Sequence, residues 1–384
     1  MIPMQHFEEM PKEELLAYLR EHAKKQLEGC TRLTTSGISI LTPDGMGNYD
    51  ALWARDFAYM AEYAGDLITT ERLKEGVEYL LTHPREEDGW FPDRVNIDGT
   101  AVYAAGNPWL PCGEANLDNA PFLAISFALL LDRMTNKEAI AFLNEHLAAL
   151  WKGLAVIPLD AKGLVYNTPE KPHSPYGFTD CICKTGSLMI ESVLLWRACR
   201  MVAERLHRYA VAPMICAEME HTAKNIEEAL EEIFYDEKTG MFFAATEDCH
   251  QIDIWGCAYA LSVGFPLSEK AEASTREGLV KYADGILESG QLRHTLPGEF
   301  WDKLLLEVPQ GEYQNGAYWA TATGWYMDAV RPIDEALAKK VLFEAVTYFA
   351  NVGTFECVNG DYKKLDNFVV SATNVYGAAK TLFA

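Results

Sequence analysis

The 384-residue sequence predicts an all-α fold, an (α/α)6 toroid of about twelve helices with one elaborate face. Three observations point there. Apolar residues recur at helical spacing along nearly the whole chain, long connections alternate with short ones, and no residue repeat of fixed period is present.

In chain order, segments 11–28, 51–67, 71–82, 119–133, 136–151, 184–207, 212–234, 252–264, 268–285, 315–330, 333–350 and 370–383 read as helices. In the third, Leu73, Val77, Leu80 and Leu81 fall at i, i+4, i+7 and i+8 behind a capping Thr70. In the fifth, Ile140, Leu143, Leu147 and Leu150 follow Asn136 in the same rhythm. Odd-numbered helices are followed by long connections, even-numbered ones by a few residues marked by Pro266 or Pro332. If the helices run up and down in alternation, every long connection lies on one face. A closed ring of six hairpins has this pattern. An open superhelical stack is the competing architecture, and it normally carries the fixed repeat that is missing here.

Composition bounds the function. A formal charge of −23 argues against a nucleic-acid partner, because phosphate binding needs a basic footprint, and it disfavours anionic polysaccharides. Hydrophobic residues at 49% supply a large core, and no flexible linker, low-complexity tract or membrane-length apolar run interrupts residues 1–384, so one domain is expected. Nine cysteines leave an odd one in any pairing, and several fall in predicted helices, such as Cys199 and Cys216. With no secretory pattern in Met1 to Glu14, reduced thiols and a cytoplasmic location are the expectation. Cys181-Ile182-Cys183 lacks a second Cys or His pair, and His173 and His294 form no metal spacing. There is no nucleophile elbow and no phosphate loop, so neither a metal nor a cofactor is expected.

Six stretches rich in carboxylates, aromatics and glycine lie at or before the starts of even helices, and so on the predicted elaborate face. They are Trp53-Ala54-Arg55-Asp56, Gly89 to Arg94 with Trp90 and Asp93, Gly177-Phe178-Thr179-Asp180, Asp253-Ile254-Trp255-Gly256, Gly311 to Gly316, and Phe355 to Gly360 with Glu356. Aromatic rings such as Trp53, Trp90, Trp109, Tyr176, Phe178, Trp255, Tyr313, Trp319 and Trp325 stack on sugar C–H faces or wedge loops onto the barrel. Cleaving a glycosidic bond needs one protonated carboxyl to donate to the leaving oxygen and one ionised carboxyl to activate water. Asp180, among Pro172, Pro175, Tyr176 and Phe178, has surroundings that favour the neutral form and is the candidate proton donor. Glu356, among Asn351, Asn359, Asp361 and Tyr362, sits in a more polar stretch and is the candidate base, with Glu312 as the alternative. Helix capping or a loop salt bridge is the competing reading for each. Asp118 is placed to cap the fourth helix while facing the pocket, and Asp253 opens the eighth beside Trp255 as a candidate ligand for a more distant sugar.

This ordered set of loops resembles the six-hairpin glycosidase superfamily, which includes trehalases, glucoamylases, processing α-glucosidases and α-rhamnosidase-type enzymes, over nearly the whole chain from Asn48 to Gly377. In that group a Trp-x-Arg-Asp element binds hydroxyls of the terminal sugar, and Trp53, Arg55 and Asp56 match it. Tyr176 to Asp180 loosely matches the element that carries the general acid, with one extra residue between aromatic and acid. Phe355-Glu356 before Asn359-Gly360 and Ser371-Ala372 matches the position of the base glutamate, and Tyr313-Gln314-Asn315 to Trp319 the pocket loop preceding it. By the same resemblance Arg55 and Asp56 grip the terminal sugar, with Asp93 and Arg94 serving it or bracing the loop.

The sequence therefore predicts a hydrolase releasing a terminal neutral sugar from a short oligosaccharide, and the resemblance implies inversion at the anomeric carbon. Rival readings are a sugar epimerase or isomerase, a glycoside phosphorylase on the same ring, and a non-catalytic glycan-binding scaffold. The scarcity of histidine in the loops speaks against an isomerase. Nothing in the sequence addresses oligomeric state.

Overall fold

The computed structural model describes residues 7–8, 10–105, 113 and 115–384. Thirteen helices are present among them: α1 Lys12–Gly29, α2 Ala54–Tyr63, α3 Thr70–Leu81, α4 Asn119–Leu131, α5 Asn136–Ala155, α6 Met189–Tyr209, α7 Pro213–Phe234, α8 Ile254–Ser262, α9 Glu269–Lys281, the one-turn α10 Ala283–Ile286, α11 Thr323–Val330, α12 Glu335–Asn351 and α13 Val369–Phe383. All twelve predicted helices are found, several of them trimmed.

The trimming has local causes. Residues 51–53 are not helical but form a strand, Ala51–Trp53, paired with Arg94–Asn96. Residues 186–187 pair with Tyr166–Asn167, so α6 begins at Met189. Residues 315–319 are extended or turning, and α11 starts only after a 3-10 turn at Ala320–Ala322. The caps also lie one residue earlier than the sequence suggests. Thr69, not Thr70, accepts the Arg72 amide, and Thr135 forms a capping box with Glu138 ahead of Asn136.

Burial separates two layers. Helices α2, α4, α8, α11 and α13, with the first two-thirds of α6, are buried almost all round, whereas α1, α3, α5, α7, α9 and α12 bury one stripe. On α12 that stripe is Ala338, Val341, Leu342, Ala345, Val346 and Phe349. The inner helices pack in sequence, α2 on α4, α4 on α6, α6 on α8, α8 on α11 and α11 on α13, and α13 returns to α2. That last contact closes the ring and excludes the open stack.

Connections leaving the outer helices form one face, where short antiparallel pairs and the hairpin Phe355–Asn359/Tyr362–Asp366 are laid over the barrel mouth. Down the axis runs an aromatic plug. Tyr59, Trp255 and Trp325 are fully buried with ring centroids 5.4 Å (Tyr59–Trp325) and 5.5 Å (Trp255–Trp325) apart, and Phe178 caps them 6.0 Å from Trp255. Tyr176 and Trp319 belong to the same packing, so these rings fill the barrel rather than face solvent. Trp109 lies outside the described residues.

The eight described cysteines are free and buried. No described helix is long and apolar enough to cross a membrane.

The ring closes where Gly377 of α13 meets Tyr63 at the end of α2. A Cβ at Gly377 would lie 2.6 Å from Tyr63 Cβ and 3.0 Å from its Cα, which a packed seam cannot yield. Gly377→Ala is expected to destabilise the fold by about 1–3 kcal/mol in urea unfolding. Gly29→Ala, with no atom within 4 Å of the added methyl, is the control and should be neutral or slightly stabilising.

Candidate active site

The loop face carries a cavity of about 70 Å³ whose walls include Tyr49, Trp53, Asp56, Phe178, Asp180, Tyr313, Glu356 and Phe368. Asp56 comes from the first turn of α2, Asp180 from the residue ending the 3-10 turn Gly177–Thr179, and Glu356 from the hairpin before α13. Three carboxyl groups from remote parts of the chain thus share one small space.

Behind this cavity lies a buried cation. Arg55 Nε donates to Asp118 Oδ2 at 2.9 Å, and its Nη2 pairs with Asp93, all three side chains being almost wholly removed from solvent. Asp93 also accepts from Arg94 Nη1 at 2.7 Å and from Asn116 Nδ2 at 2.8 Å. Burial alone would lower the Arg55 pKa, but Asp118 and Asp93 outweigh it and hold the guanidinium charged. Asp118 stands at the N-cap position of α4 without capping it. Its Oδ2 instead accepts the Gly177 amide at 2.8 Å. Gly177 can be nothing larger, because a Cβ there would fall 1.6 Å from Arg55 Nε. Arg55 also lines the cavity, as expected of a sugar-binding residue, while two of its nitrogens pair with carboxylates that tie α2, the loop after α3 and the loop after α5 together.

Gln314, expected in the pocket, is fully buried and braces the candidate acid. Its Nε2 donates to Asp180 Oδ1 at 2.7 Å and to Gly177 O at 3.2 Å, while its Oε1 accepts the Cys181 amide at 2.8 Å. Asn315 holds its own loop, accepting the Trp301 amide at 3.1 Å and donating to Val308 O at 3.0 Å. Tyr313 lines the cavity in a left-handed backbone conformation (φ 43°), with Lys364 Nζ 3.2 Å above its ring.

Other expectations resolve into structural roles. Asp253 caps α8 by accepting the Gly256 amide at 2.8 Å and does not line the cavity. Trp255 and Trp319 are buried in the plug, their indole N–H groups given to Leu292 O and Tyr313 O. Trp90 packs on His173, also away from the cavity. Arg94 stacks over Trp53, its guanidinium 4.5 Å from the ring. Glu312 sits in the turn that pairs with Asn315 and is not part of the cavity wall. Tyr49, Pro43 and Phe368 are wall residues that sequence reasoning missed. Tyr49 lies four residues before Trp53 in the first matched element, the one local hint it offered.

Electrostatics set this trio apart. Burial pushes Asp180 up to about 6, against the pull of Arg55 and Gln314. Asp56 is raised to about 7, again by burial, with Arg55 opposing and Asp93 reinforcing. Glu356 is raised furthest, to about 8, by burial, with Lys364 opposing and Asp56 reinforcing. The polar sequence neighbours of Glu356 suggested a charged side chain. In the structure Asn351 ends α12 and Asn359, Asp361 and Tyr362 lie at the tip of the hairpin, all exposed or half-buried, whereas Glu356 is 3% exposed and turns inward. Its Oε1 accepts from Tyr49 Oη at 3.2 Å and its Oε2 has no protein partner.

No protein-family model matches the sequence, and no curated protein does. Solved structures do. A GH63 mannosylglycerate hydrolase from Thermus thermophilus aligns with TM-score 0.68 at 17% identity, over 94% of this chain and 99% of that one. The fold is that of the six-hairpin glycosidases. A metal-independent α-mannosidase from Streptococcus pneumoniae (TM-score 0.67, 12% identity, 96% and 94% covered) and a glucoamylase from Saccharomycopsis fibuligera (0.63, 11%, 97% and 96%) are similar in the same way. These neighbours are glycoside hydrolases, and at such identities the likeness is one of fold.

The raised carboxyl groups carry a stability consequence. Glu356 titrates near 4.5 when unfolded and near 8 when folded, so the folded state holds its proton more tightly. Stability from the neutral form is complete below about pH 4.5 and is lost as pH climbs through about 8. Glu356→Gln should therefore raise the melting temperature at about pH 9, by the equivalent of a few kcal/mol, and change it little at about pH 5.

Proposed function

We propose that this protein is an inverting, exo-acting glycoside hydrolase, a single catalytic domain that releases a terminal neutral sugar from a short oligosaccharide. The carrying observation is that Asp180 and Glu356, with Asp56, open onto one small aromatic-walled cavity on the loop face of a barrel shared with glycoside hydrolases. A space of about 70 Å³ suits the end of a glycan better than its middle. Three acidic groups around it favour a neutral sugar over an anionic one.

Asp180 is the general acid and Glu356 the general base. Asp180 passes its proton to the glycosidic oxygen as the bond from that oxygen to the anomeric carbon breaks. A water held by the unpartnered Oε2 of Glu356 gives its proton to that carboxylate, and its oxygen bonds to the same carbon from the opposite face. The products are the free sugar of inverted configuration and the aglycone alcohol, and the two carboxyls recover their protonation by exchange with solvent. Asp56 accepts hydroxyl hydrogen bonds from the sugar, and Trp53, Tyr49, Tyr313 and Phe178 pack on its faces. Gln314 aims the acid and Arg55 organises the wall behind it. No histidine lines this cavity among the described residues, which speaks against proton shuttling of the isomerase type.

At neutral pH the pair shares about one proton, and its macroscopic titrations near 6 and 8 bracket the active range. That proton rests mainly on Glu356, and the active form, with the proton on Asp180 and the charge on Glu356, is the minor tautomer of the singly protonated pair. A water at Oε2 and the Tyr49 hydroxyl at Oε1 solvate that charge.

Screening aryl glycosides and disaccharides, with the first-formed product anomer followed by NMR, is expected to reveal hydrolysis of at least one with inversion; a retained anomer or no cleavage would count against the reading. On that substrate kcat/KM should be bell-shaped in pH, with limbs near about 6 and 8.

Asp180→Asn should abolish turnover of poor leaving groups while sparing part of the activity on activated aryl glycosides, whereas Glu356→Gln should lose both; the converse pattern would exchange the two roles. Gln314→Leu removes a hydrogen bond that favours ionised Asp180. It should lower kcat by roughly 100-fold and move the acidic limb upward.

A further inference from the structure

A second chemical feature lies at the far end of the α6–α7 hairpin. Helix α6 starts on the loop face and rises about 27 Å from Met189 to His207 at about 1.5 Å per residue, so His207 is at the plain end of the barrel. Cys216 and Glu220 stand one turn apart on the first turns of α7, on the side that faces α6. His207 Nε2 is 2.8 Å from Glu220 Oε1, and the donor atoms of all three residues lie within 4.8 Å of one another. Among the described residues this is the one group of His, Cys and acidic side chains with ligand spacing. The three border a cavity of about 270 Å³ together with Leu206, Val211 and Pro213.

We propose that His207, Cys216 and Glu220 form a binding site for a zinc-class divalent cation that clips α6 to α7. A thiolate, an imidazole and a carboxylate are ligands for borderline-soft Zn²⁺, and a solvent molecule would complete four-coordination. Zinc bonds of about 2.0–2.3 Å place tetrahedral donors about 3.3–3.7 Å apart, so closure needs shifts of about 1 Å. The exposed His207 and half-buried Glu220 can move that far about the buried Cys216. Binding displaces the Cys216 thiol proton to solvent, leaving the ligand charges of thiolate and carboxylate to balance the dication. The clip spans a strained turn: Ala210 (φ 52°) and Ala212 (φ 46°) both hold left-handed backbone that a Cβ disfavours. Its role is to brace this turn, and the glycosidase reading does not depend on it.

The test is calorimetric titration of the reduced, chelator-treated full-length protein with zinc chloride. One equivalent is expected to bind with Kd at or below about 1 μM and to raise the melting temperature. His207→Gln and Cys216→Ser should each weaken binding by more than the roughly 10–100-fold that loss of an outer-shell partner costs. Titration with cobalt should give a thiolate-to-metal absorption in the unsubstituted protein that Cys216→Ser abolishes. Glycoside turnover should be unchanged in His207→Gln. The absence of saturable binding, or an affinity in both variants unchanged from the unsubstituted protein, would overturn the site. His207→Gln, at an exposed position, keeps the test informative if Cys216→Ser folds poorly.

Discussion

The arrangement around the cavity depends on one buried ion-pair network, Arg55 with Asp93 and Asp118. Burying a guanidinium is favourable only when its donors are matched, and here both carboxylates come from the one long connection between α3 and α4. The network also reaches the Gly177 amide, which sets the turn leading to Asp180. Its charge acts directly on the cavity carboxyls, because Arg55 is the main group opposing burial at both Asp56 and Asp180. Without that cation the two carboxyls would be driven further toward the neutral form.

Beneath this layer the aromatic plug provides stiffness. Phe178 sits on Trp255 and Trp319 and forms part of the cavity wall, so the loop bearing Asp180 rests on close-packed rings rather than on solvent. The same dry surroundings raise the titration of all three cavity carboxyls. Stability and reactivity oppose each other at this point. Groups that cost folding energy when ionised are the ones poised to exchange protons near neutrality.

Much of this was legible in the sequence, unevenly. Helical periodicity exposed the ring because each helix buries a stripe that sequence spacing records, as in Leu73, Val77 and Leu80. Asp56, Asp180 and Glu356 were legible as carboxylates in aromatic loops, and the structure brings them together. Trp255 and Asp253 show the limit. An aromatic beside an acid at a helix start looks the same whether it faces a sugar or packs a core, and here one is plug and the other is cap. The Asn359-Gly360 turn did carry a hairpin signal, but the strand before it buries Glu356, Cys357 and Val358 in succession, so no alternation marked Glu356 as inward.

What the sequence by itself determined is the order of the twelve long helices, the alternation of plain and elaborate connections, and the acidic, aromatic character of one face, because these follow from local spacing and residue type. Only the tertiary structure decided that α13 closes on α2, that Arg55 is spent on Asp93 and Asp118, that Gln314 holds Asp180, and that Glu356 is shielded while its polar neighbours stay outside. Those outcomes rest on contacts between residues far apart in the chain, whose burial and field no local pattern encodes.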